Sequence, residues 1–165
     1  MLSTDGTGVV VVPMSCAIGT KFKEVRERLF RKHTLKAVFS MPDDIFYPTG
    51  VNVCVMVWEA HKPHNSMKQT YFGYCKDDGF VKRKKMGRID FYDKWDDIKK
   101  EWLDLYENKK VVDGKSALQC VSADDEWLCE AYMKTDYSKL TQNDFEQTVR
   151  DYLAYLIKNG GNHEG

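Results

Sequence analysis

Four consecutive valines at residues 9–12, closed by Pro13, constrain the fold more than any other part of this sequence. β-Branched side chains favour extended backbone, and proline ends a strand because it has no N–H to donate. An apolar run without alternation is typical of a strand covered on both faces, as in the middle of a parallel sheet. The sequence therefore predicts a sheet in which residues 9–12 form a central strand.

A helix and two further strands follow this run. Apolar residues recur at helical spacing between Phe22 and Phe30, which predicts an amphipathic helix. Its polar side is expected to carry Lys23, Glu24, Arg26, Glu27, Arg28 and Arg31. Residues 35–41 and 53–58 are predicted strands, so the first two strands and the helix form a βαβ unit. No helix separates the second and third strands, which are expected to be antiparallel. The first 60 residues thus indicate the edge half of a doubly wound α/β sheet.

The pattern changes after a linker-like stretch at residues 61–66. Residues 70–75 read as a strand, and a turn at residues 76–79 predicts a hairpin whose return strand starts at Phe80. Helices are predicted at residues 95–106 and from a capping box at residues 141–144 onward. The apolar stripe of the last helix consists of Phe145, Val149, Tyr152, Leu153 and Leu156.

Composition excludes several classes of protein. The 25 basic and 25 acidic residues cancel, which argues against a chain whose whole surface binds nucleic acid. Apolar residues at 42% and charged residues at 30% exclude a disordered chain. The five cysteines, an odd number without a C-x-x-C pair, are typical of reduced thiols in a cytoplasmic protein. No apolar run is long enough to span a bilayer and no signal peptide is recognisable, so no membrane partner is expected.

Histidines and cysteines give no strong signal for a metal or a nucleophile. His61 and His64 are three residues apart without cysteine or carboxylate partners at ligand spacing, so they are interpreted as surface residues and no metal is expected. Cys16 lies where a nucleophile elbow would lie, between a strand and a helix. Met14 and Ile18 occupy the positions that an elbow needs to be small, so Cys16 is interpreted as a structural thiol.

One concentrated basic run stands out, formed by Lys82, Arg83, Lys84 and Lys85 with Arg88 close by. A run of this kind can contact DNA phosphates and position a duplex without reading its sequence. It can also be a solvated turn or a charged edge that prevents strand pairing. The sequence leaves both interpretations open.

The loop that follows the second predicted strand is the most informative segment. Phe46 and Tyr47 are adjacent aromatic residues in a polar stretch bounded by Pro42 and Gly50. Ligands bind at the carboxyl ends of strands in doubly wound sheets, and exposed aromatic rings there can stack on a base. Alternatively, Phe46 fills the core under the loop. The residues alone favour neither interpretation.

In combination, these segments resemble the catalytic domain of adenine-N6 DNA methyltransferases, and most closely the methylation subunit of type I restriction-modification systems. Three stretches carry the resemblance: Val-Val-Val-Pro-Met-Ser at residues 10–15, the helix at residues 22–29, and residues 35–58. Residues 41–58 follow the pattern apolar-Pro-x-x-x-Phe-x-x-Thr-Gly, then an apolar strand. The resemblance covers residues 8–60 and corresponds to the back half of that domain.

The resemblance implies a partial doubly wound, Rossmann-like methyltransferase sheet at residues 1–62 and an α+β C-terminal extension at residues 63–165. Members of the family bind S-adenosylmethionine, flip an adenine out of the duplex and hold its amine with an Asn-Pro-Pro-aromatic motif. By this resemblance Phe46 is expected to stack on the flipped base, with Tyr47 beside it. Pro42, Thr49 and Gly50 are then expected to shape the loop.

The sequence departs from the family pattern in one important way. It contains no Asn-Pro dipeptide and no glycine-rich loop after a first strand. Both are expected to lie before Met1, so the chain is interpreted as a fragment that binds no cofactor and does not methylate DNA alone. The expected partners are DNA and the DNA-specificity and restriction subunits.

Two further expectations concern interactions. The alternative interpretation is a non-catalytic module in which the helices at 95–106 and 141–157 dock the DNA-specificity subunit while the basic run contacts the DNA backbone. The unpaired outer edge of the valine strand also predicts self-association or a partner.

Overall fold

The structure is a computed structural model that describes residues 3–134 and 141–160. The chain forms two compact units, Met1–Met133 and Lys134–Gly165. The first unit contains seven strands: β1 (Thr7–Pro13), β2 (Thr34–Ser40), β3 (Val53–Glu59), β4 (Gln69–Tyr74), β5 (Val81–Arg83), β6 (Gly87–Ile89) and β7 (Ser116–Cys120). Its helices are α1 (Ser15–Ile18), α2 (Lys23–Phe30) and α3 (Trp95–Glu107), with short 3-10 turns at Thr20–Phe22 and Cys129–Ala131.

Five strands form one mixed sheet in the order β1-β3-β2-β4-β7. β1 and β2 both pair with β3 in the antiparallel sense, so they run parallel to each other with β3 between them. β2 pairs with β4 in parallel, and β4 pairs with β7 antiparallel. The predicted antiparallel pairing of the second and third strands is confirmed, and the fold is a mixed α/β fold.

The predicted central position of the valine strand is wrong. Among the described residues β1 pairs with β3 alone and forms the edge of the sheet, in an antiparallel pair. Val9 and Val11 are 65% and 52% exposed, and Val10 is exposed on the opposite face. The prediction failed because an apolar run indicates only that its side chains avoid water, and does not show which part of a protein buries them. Within the described residues, only Val12 of the run packs against the core. Pairing of this edge with a second copy or a partner stays a prediction.

Hydrophobic clusters lie on both faces of the sheet. On one face, Leu35, Val38 and Phe72 pack with buried Trp127 and with Phe30 of α2. On the other face, the cluster is formed by Ala37, Tyr71 and Leu105, with Phe39, Val57, Tyr106 and Leu118 packed against it. A β-bulge at Lys36 shifts the register of β2, so Leu35 and Val38 face the same side. Helices therefore cover both faces of the sheet, as in an α/β layer architecture.

Strands from both sides of residue 62 share this sheet, since β4 and β7 continue it beyond β2. The division into a catalytic part at 1–62 and an extension at 63–165 stays a prediction.

The predicted hairpin between residues 70–75 and Phe80 does not form. β4 pairs with β2 and β7 instead, and the hairpin is made by β5 and β6, from the basic run itself. Lys85 and Gly87 adopt positive φ angles of 66° and 74° and turn the chain between these strands.

The second unit contains α4 (Gln142–Gly160), the predicted C-terminal helix. The five residues of its predicted apolar stripe are all exposed: Phe145, Val149, Tyr152, Leu153 and Leu156. Across the described residues, no helix combines the length and the apolar character needed to cross a membrane.

Candidate functional site

The carboxyl ends of β1, β2 and β4 meet at one edge of the sheet because these strands run parallel. The loop at residues 42–50 follows β2 there, and Lys76 lies just after β4. The loop is held to the sheet by backbone hydrogen bonds from Met14 N–H to Asn52 and from Met41 N–H to Val53, at 3.0 and 3.2 Å. Crevices at this edge are where open α/β sheets bind ligands.

Both aromatic side chains of the loop are exposed. Phe46 and Tyr47 have 50% and 56% of their surface open to solvent, so Phe46 does not fill the core under the loop. Successive turns fix the backbone, with hydrogen bonds from Tyr47 N–H to Asp44 at 3.0 Å and from Thr49 N–H to Phe46 at 2.8 Å. The loop thus presents two rings from a backbone that its own hydrogen bonds hold in place.

The residues predicted to shape the loop differ in environment. Pro42 is buried at its start and accepts a hydrogen bond from the Ile45 N–H at 3.3 Å. Thr49 and Gly50 are exposed. A Cβ atom built on Gly50 would meet no atom within 4 Å, so the structure gives no steric reason for glycine there.

Asp43 anchors the start of the loop to the end of β4. Its carboxylate pairs with the ammonium of Lys76, whose side chain is only 18% exposed. Lys76 Nζ also lies 3.9 Å from Glu130 and donates to the sulfur of Met14 at 3.7 Å. Glu130 in turn accepts a hydrogen bond from Ser40 at the end of β2. One partly buried ammonium therefore connects the ends of β1, β2 and β4.

Asp44 anchors the loop a second time, to the β5–β6 hairpin. Its carboxylate lies 3.2 Å from Lys82 Nζ and 2.9 Å from Arg88 Nε. The Arg88 Nε–H is not aligned for a hydrogen bond, so its contact with Asp44 is an ion pair. Arg88 Nη2 donates to both carboxylate oxygens of Asp78, at 2.9 and 3.0 Å.

The structure therefore brings the aromatic loop and the basic run together. Lys82 Nζ lies 5.2 Å from the centre of the Tyr47 ring, within the range of a cation–π interaction. A shallow groove of about 360 Å³ runs between them, lined by Tyr47, Lys82, Arg83, Lys84, Lys85 and Gly87. A groove with an aromatic wall and several ammonium groups suits a ligand that combines planar rings with anionic groups.

Not all predicted basic residues are available in this groove. Lys82, Arg83, Lys84 and Lys85 are exposed, whereas the Arg88 side chain is 13% exposed and is engaged by Asp44 and Asp78. Sequence reasoning missed the roles of Asp43, Asp44, Lys76 and Asp78, which hold the site together. No local pattern signals these contacts, because each joins residues that are far apart in the chain or lie in irregular backbone.

Among the described residues, no group of three or more histidine, cysteine, aspartate or glutamate side chains could hold a metal.

Cys16 lies in α1 and lines an apolar groove beside Phe22 and Trp127. Burial raises the pKa of Cys54, Cys75 and Cys129 to about 12 in each case, which keeps these thiols protonated and unreactive.

The fold is similar to parts of solved proteins from type I restriction-modification systems. The methyltransferase subunit of the type I system from Streptococcus thermophilus matches 69% of this chain and 23% of its own, with a TM-score of 0.53 at 19% identity. A component of a type I system, solved in a study of complex assembly and conformational transition, matches 99% of this chain and 37% of its own, with a TM-score of 0.59 at 18% identity.

The sequence comparisons agree with the fold. The model of the family described as N-6 DNA Methylase matches residues 1–157, and the chain belongs to this family. The type II restriction enzyme and methyltransferase RM.BcgI of Heyndrickxia coagulans is 29% identical over 169 residues, covering 100% of this chain. The chain spans 26% of the length of that relative. The sequence resemblance is thereby confirmed.

Proposed function

We propose that this chain is the part of a cytoplasmic, site-specific adenine-N6 DNA methyltransferase that contacts the target base and the neighbouring DNA backbone. Family membership supports the chemistry, and the length of the relative supports a part of a larger enzyme. One observation carries the assignment to the target-base side. The exposed Tyr47 ring, next to the exposed Phe46 in the loop after β2, borders one groove with the exposed basic side chains of the β5–β6 hairpin, at the edge where α/β sheets bind ligands.

The aromatic loop and the basic groove beside it suit two parts of DNA. A flipped base exposes both of its faces, and a half-exposed ring such as Phe46 can stack on one of them. The ammonium groups of Lys84 and Lys85 attract the phosphates next to that base without reading sequence.

We further propose that S-adenosylmethionine, which supplies the methyl group in this family, is held by another part of the full-length enzyme. Only Met14 lies between β1 and α1, and residues 13–18 contain no glycine. The loops after β2 and β4 hold one glycine each, Gly50 and Gly79, so neither resembles a glycine-rich cofactor loop. Titration calorimetry of this chain with S-adenosylmethionine should give no stoichiometric heat. Binding of one equivalent would disprove the proposal.

Base contact is tested with two duplexes that differ at one adenine. In one duplex the adenine is paired, and in the other it faces an abasic site, which lowers the energy needed to flip it. We expect the chain to bind the second duplex more tightly in fluorescence anisotropy. Phe46→Ala should lower the affinity for the duplex with the unpaired adenine about tenfold, because stacking on one base contributes ~1–3 kcal/mol.

Matched variants separate stacking from general damage to the loop. Phe46→Tyr keeps an aromatic ring and should retain the preference for the unpaired adenine. Val51→Ala shortens an exposed side chain just after the loop and should change neither affinity. Equal affinities of the Phe46→Ala variant and the parent for both duplexes would exclude Phe46 as the base contact.

A second function, as a non-catalytic interaction module, is favoured by α4. Its exposed stripe includes Phe145 and Tyr152, at 71% and 61% exposure, and exposed apolar patches mark interaction sites. We propose a DNA-specificity subunit as the partner of this stripe. Tyr152→Lys should abolish co-purification with such a subunit and leave DNA binding by the chain unchanged. Retained co-purification would remove α4 from the interface.

A further inference from the structure

Two more aromatic rings are exposed directly after the β5–β6 hairpin. Phe91 and Tyr92 are 55% and 58% exposed and belong to neither hydrophobic core cluster. Their ring centres lie 5.1 Å apart, with the planes at 89°. Two adjacent large aromatic side chains exposed to solvent form an apolar surface patch, which often marks a binding site. Neither ring lines the groove described above.

Each of these rings lies under a cation. The Arg83 guanidinium carbon is 4.1 Å from the centre of the Phe91 ring, and Lys94 Nζ is 5.7 Å from that of Tyr92. The same arrangement holds Lys82 over Tyr47. Exposed rings therefore alternate with basic side chains along this surface.

Arg83 joins the two regions. It lines the groove beside Tyr47, and its guanidinium covers Phe91. The groove and the Phe91–Tyr92 pair therefore form one continuous surface. Its composition, aromatic rings for bases and cations for backbone, matches how proteins bind single-stranded nucleic acid.

We propose that Phe91, Tyr92 and Arg83 bind unpaired nucleotides of a DNA strand, as an extension of the groove. This inference rests on the proposed function for its ligand class, DNA. A paired duplex keeps its base faces stacked inside, so rings on a protein surface can stack only on bases that have left the helix. The two rings offer faces for stacking, and Arg83 supplies the positive charge for the adjoining phosphate.

Two aspartates flank the ring pair. The Asp90 carboxylate accepts hydrogen bonds from the backbone N–H groups of Lys94 and Trp95, both at 2.9 Å, and so caps the start of α3. Asp93 is exposed and opposes the approach of a phosphate. Asp93→Asn should therefore increase the affinity for single strands.

The test compares three labelled probes by fluorescence anisotropy: oligothymidylate, an abasic oligomer of the same length, and a blunt duplex. The abasic oligomer keeps the phosphates and removes the bases, so the difference between the single strands measures stacking. We expect the chain to prefer oligothymidylate over the abasic oligomer. Phe91→Ala and Tyr92→Ala should each lower oligothymidylate affinity about tenfold and leave abasic affinity unchanged.

Two further variants complete the design. Met67→Ala removes a side chain that is 83% exposed. Met67 lies just before the amino end of β4, whereas the candidate site lies at the carboxyl ends of the strands, so this variant should change no affinity. Arg83→Gln should weaken binding of both single strands and reduce the salt dependence by about 0.7 in logarithmic slope, the share of one phosphate contact. Circular dichroism confirms that each variant is folded.

Several outcomes would overturn the inference. Equal binding of the two single strands would show phosphate contact alone. Unchanged oligothymidylate affinity in both ring variants would place stacking elsewhere. A folded chain that binds none of the three probes would overturn this inference and the proposed DNA contact together. The two proposals can also be separated. If Phe91→Ala and Tyr92→Ala weaken oligothymidylate binding while Phe46→Ala does not change the affinity for the unpaired adenine, this inference is supported and the assignment of Phe46 is refuted.

Discussion

Asp44 Oδ1 and Arg88 Nε lie 2.9 Å apart and join the aromatic loop after β2 to the basic hairpin of β5 and β6. The two side chains are only 32% and 13% exposed, so their charges are partly shielded from water. Arg88 was expected to reach a DNA phosphate, but its Nε and Nη2 are engaged within the protein by Asp44 and Asp78. Its position favours a role in holding the loop and the hairpin together.

This pair should contribute to stability as a unit. Asp44→Asn and Arg88→Gln should each lower the free energy of unfolding by about 1–3 kcal/mol, because each takes one of its two partners from a partly buried charge. Together they should lower it by less than the sum, with a coupling energy of about 0.5–3 kcal/mol. Urea unfolding of the four proteins measures this. Strict additivity would mean that the two residues do not interact in solution.

The salt dependence of duplex binding should separate the exposed lysines from Arg88. Each phosphate contact contributes about 0.9 to the slope of log K against log salt concentration. Lys84→Gln combined with Lys85→Gln should therefore reduce the slope by about 1.8. Arg88→Gln should leave the slope unchanged, since its guanidinium is not available to DNA. A slope reduced by about 0.9 in Arg88→Gln would restore Arg88 as a phosphate contact.

Local patterns predicted the elements of the sheet well. The apolar runs at residues 35–41 and 53–58 became β2 and β3, and the periodic stretch at 95–106 became α3. The same patterns did not predict that β4 would join β2, because strand order depends on contacts between distant residues. They also could not show that the Asp44 carboxylate reaches Lys82 and Arg88, so the two candidate sites were interpreted separately.

Arg26 shows the same limit within a single helix. Helical spacing placed it on the polar side of α2, yet it is 4% exposed. Its guanidinium donates to the backbone carbonyls of Ala123, Cys16 and Gly19, at 2.9, 3.3 and 3.0 Å, and lies 5.4 Å from the Trp127 ring. A buried arginine of this kind satisfies backbone acceptors, which helical periodicity does not record.

Thiol reactivity should follow burial. Cys120 is exposed, Cys16 is half-buried, and Cys54, Cys75 and Cys129 are buried with pKa values raised to about 12. The protein thiolate attacks a sulfur of a disulfide reagent and displaces the other sulfur as a thiolate, so Cys120 should react first and the three buried thiols only after unfolding. Cys120→Ser should remove the fast phase. Rapid reaction of three or more thiols in the folded chain would contradict this core.

His64 should make the stability of the chain depend on pH. Its ring stacks on Phe30 with centres 3.9 Å apart, and Nε2 lies 3.1 Å from the Val121 carbonyl oxygen. Nδ1 is buried and has no hydrogen-bond partner in the part of the chain that the structure describes. The ring is therefore best accommodated in the neutral form, with Nε2–H donating to Val121. Burial lowers the pKa of His64 below its ordinary value of 6.5, more than the contact with Val121 raises it.

The sign of the effect follows from proton binding. Below pH 6.5, His64 binds a proton in the unfolded chain more readily than in the folded chain, where its pKa is lower. Lowering the pH therefore lowers the free energy of unfolding. The contribution of His64 is complete above that pH and is lost as the pH falls from 6.5 through the lowered pKa of the folded state. Urea unfolding between about pH 5 and about pH 8 should show this loss, and His64→Gln should flatten it. His163→Gln, outside the described residues, is the matched control and should keep the parent profile. A parent-like profile in His64→Gln would place the titrating group elsewhere.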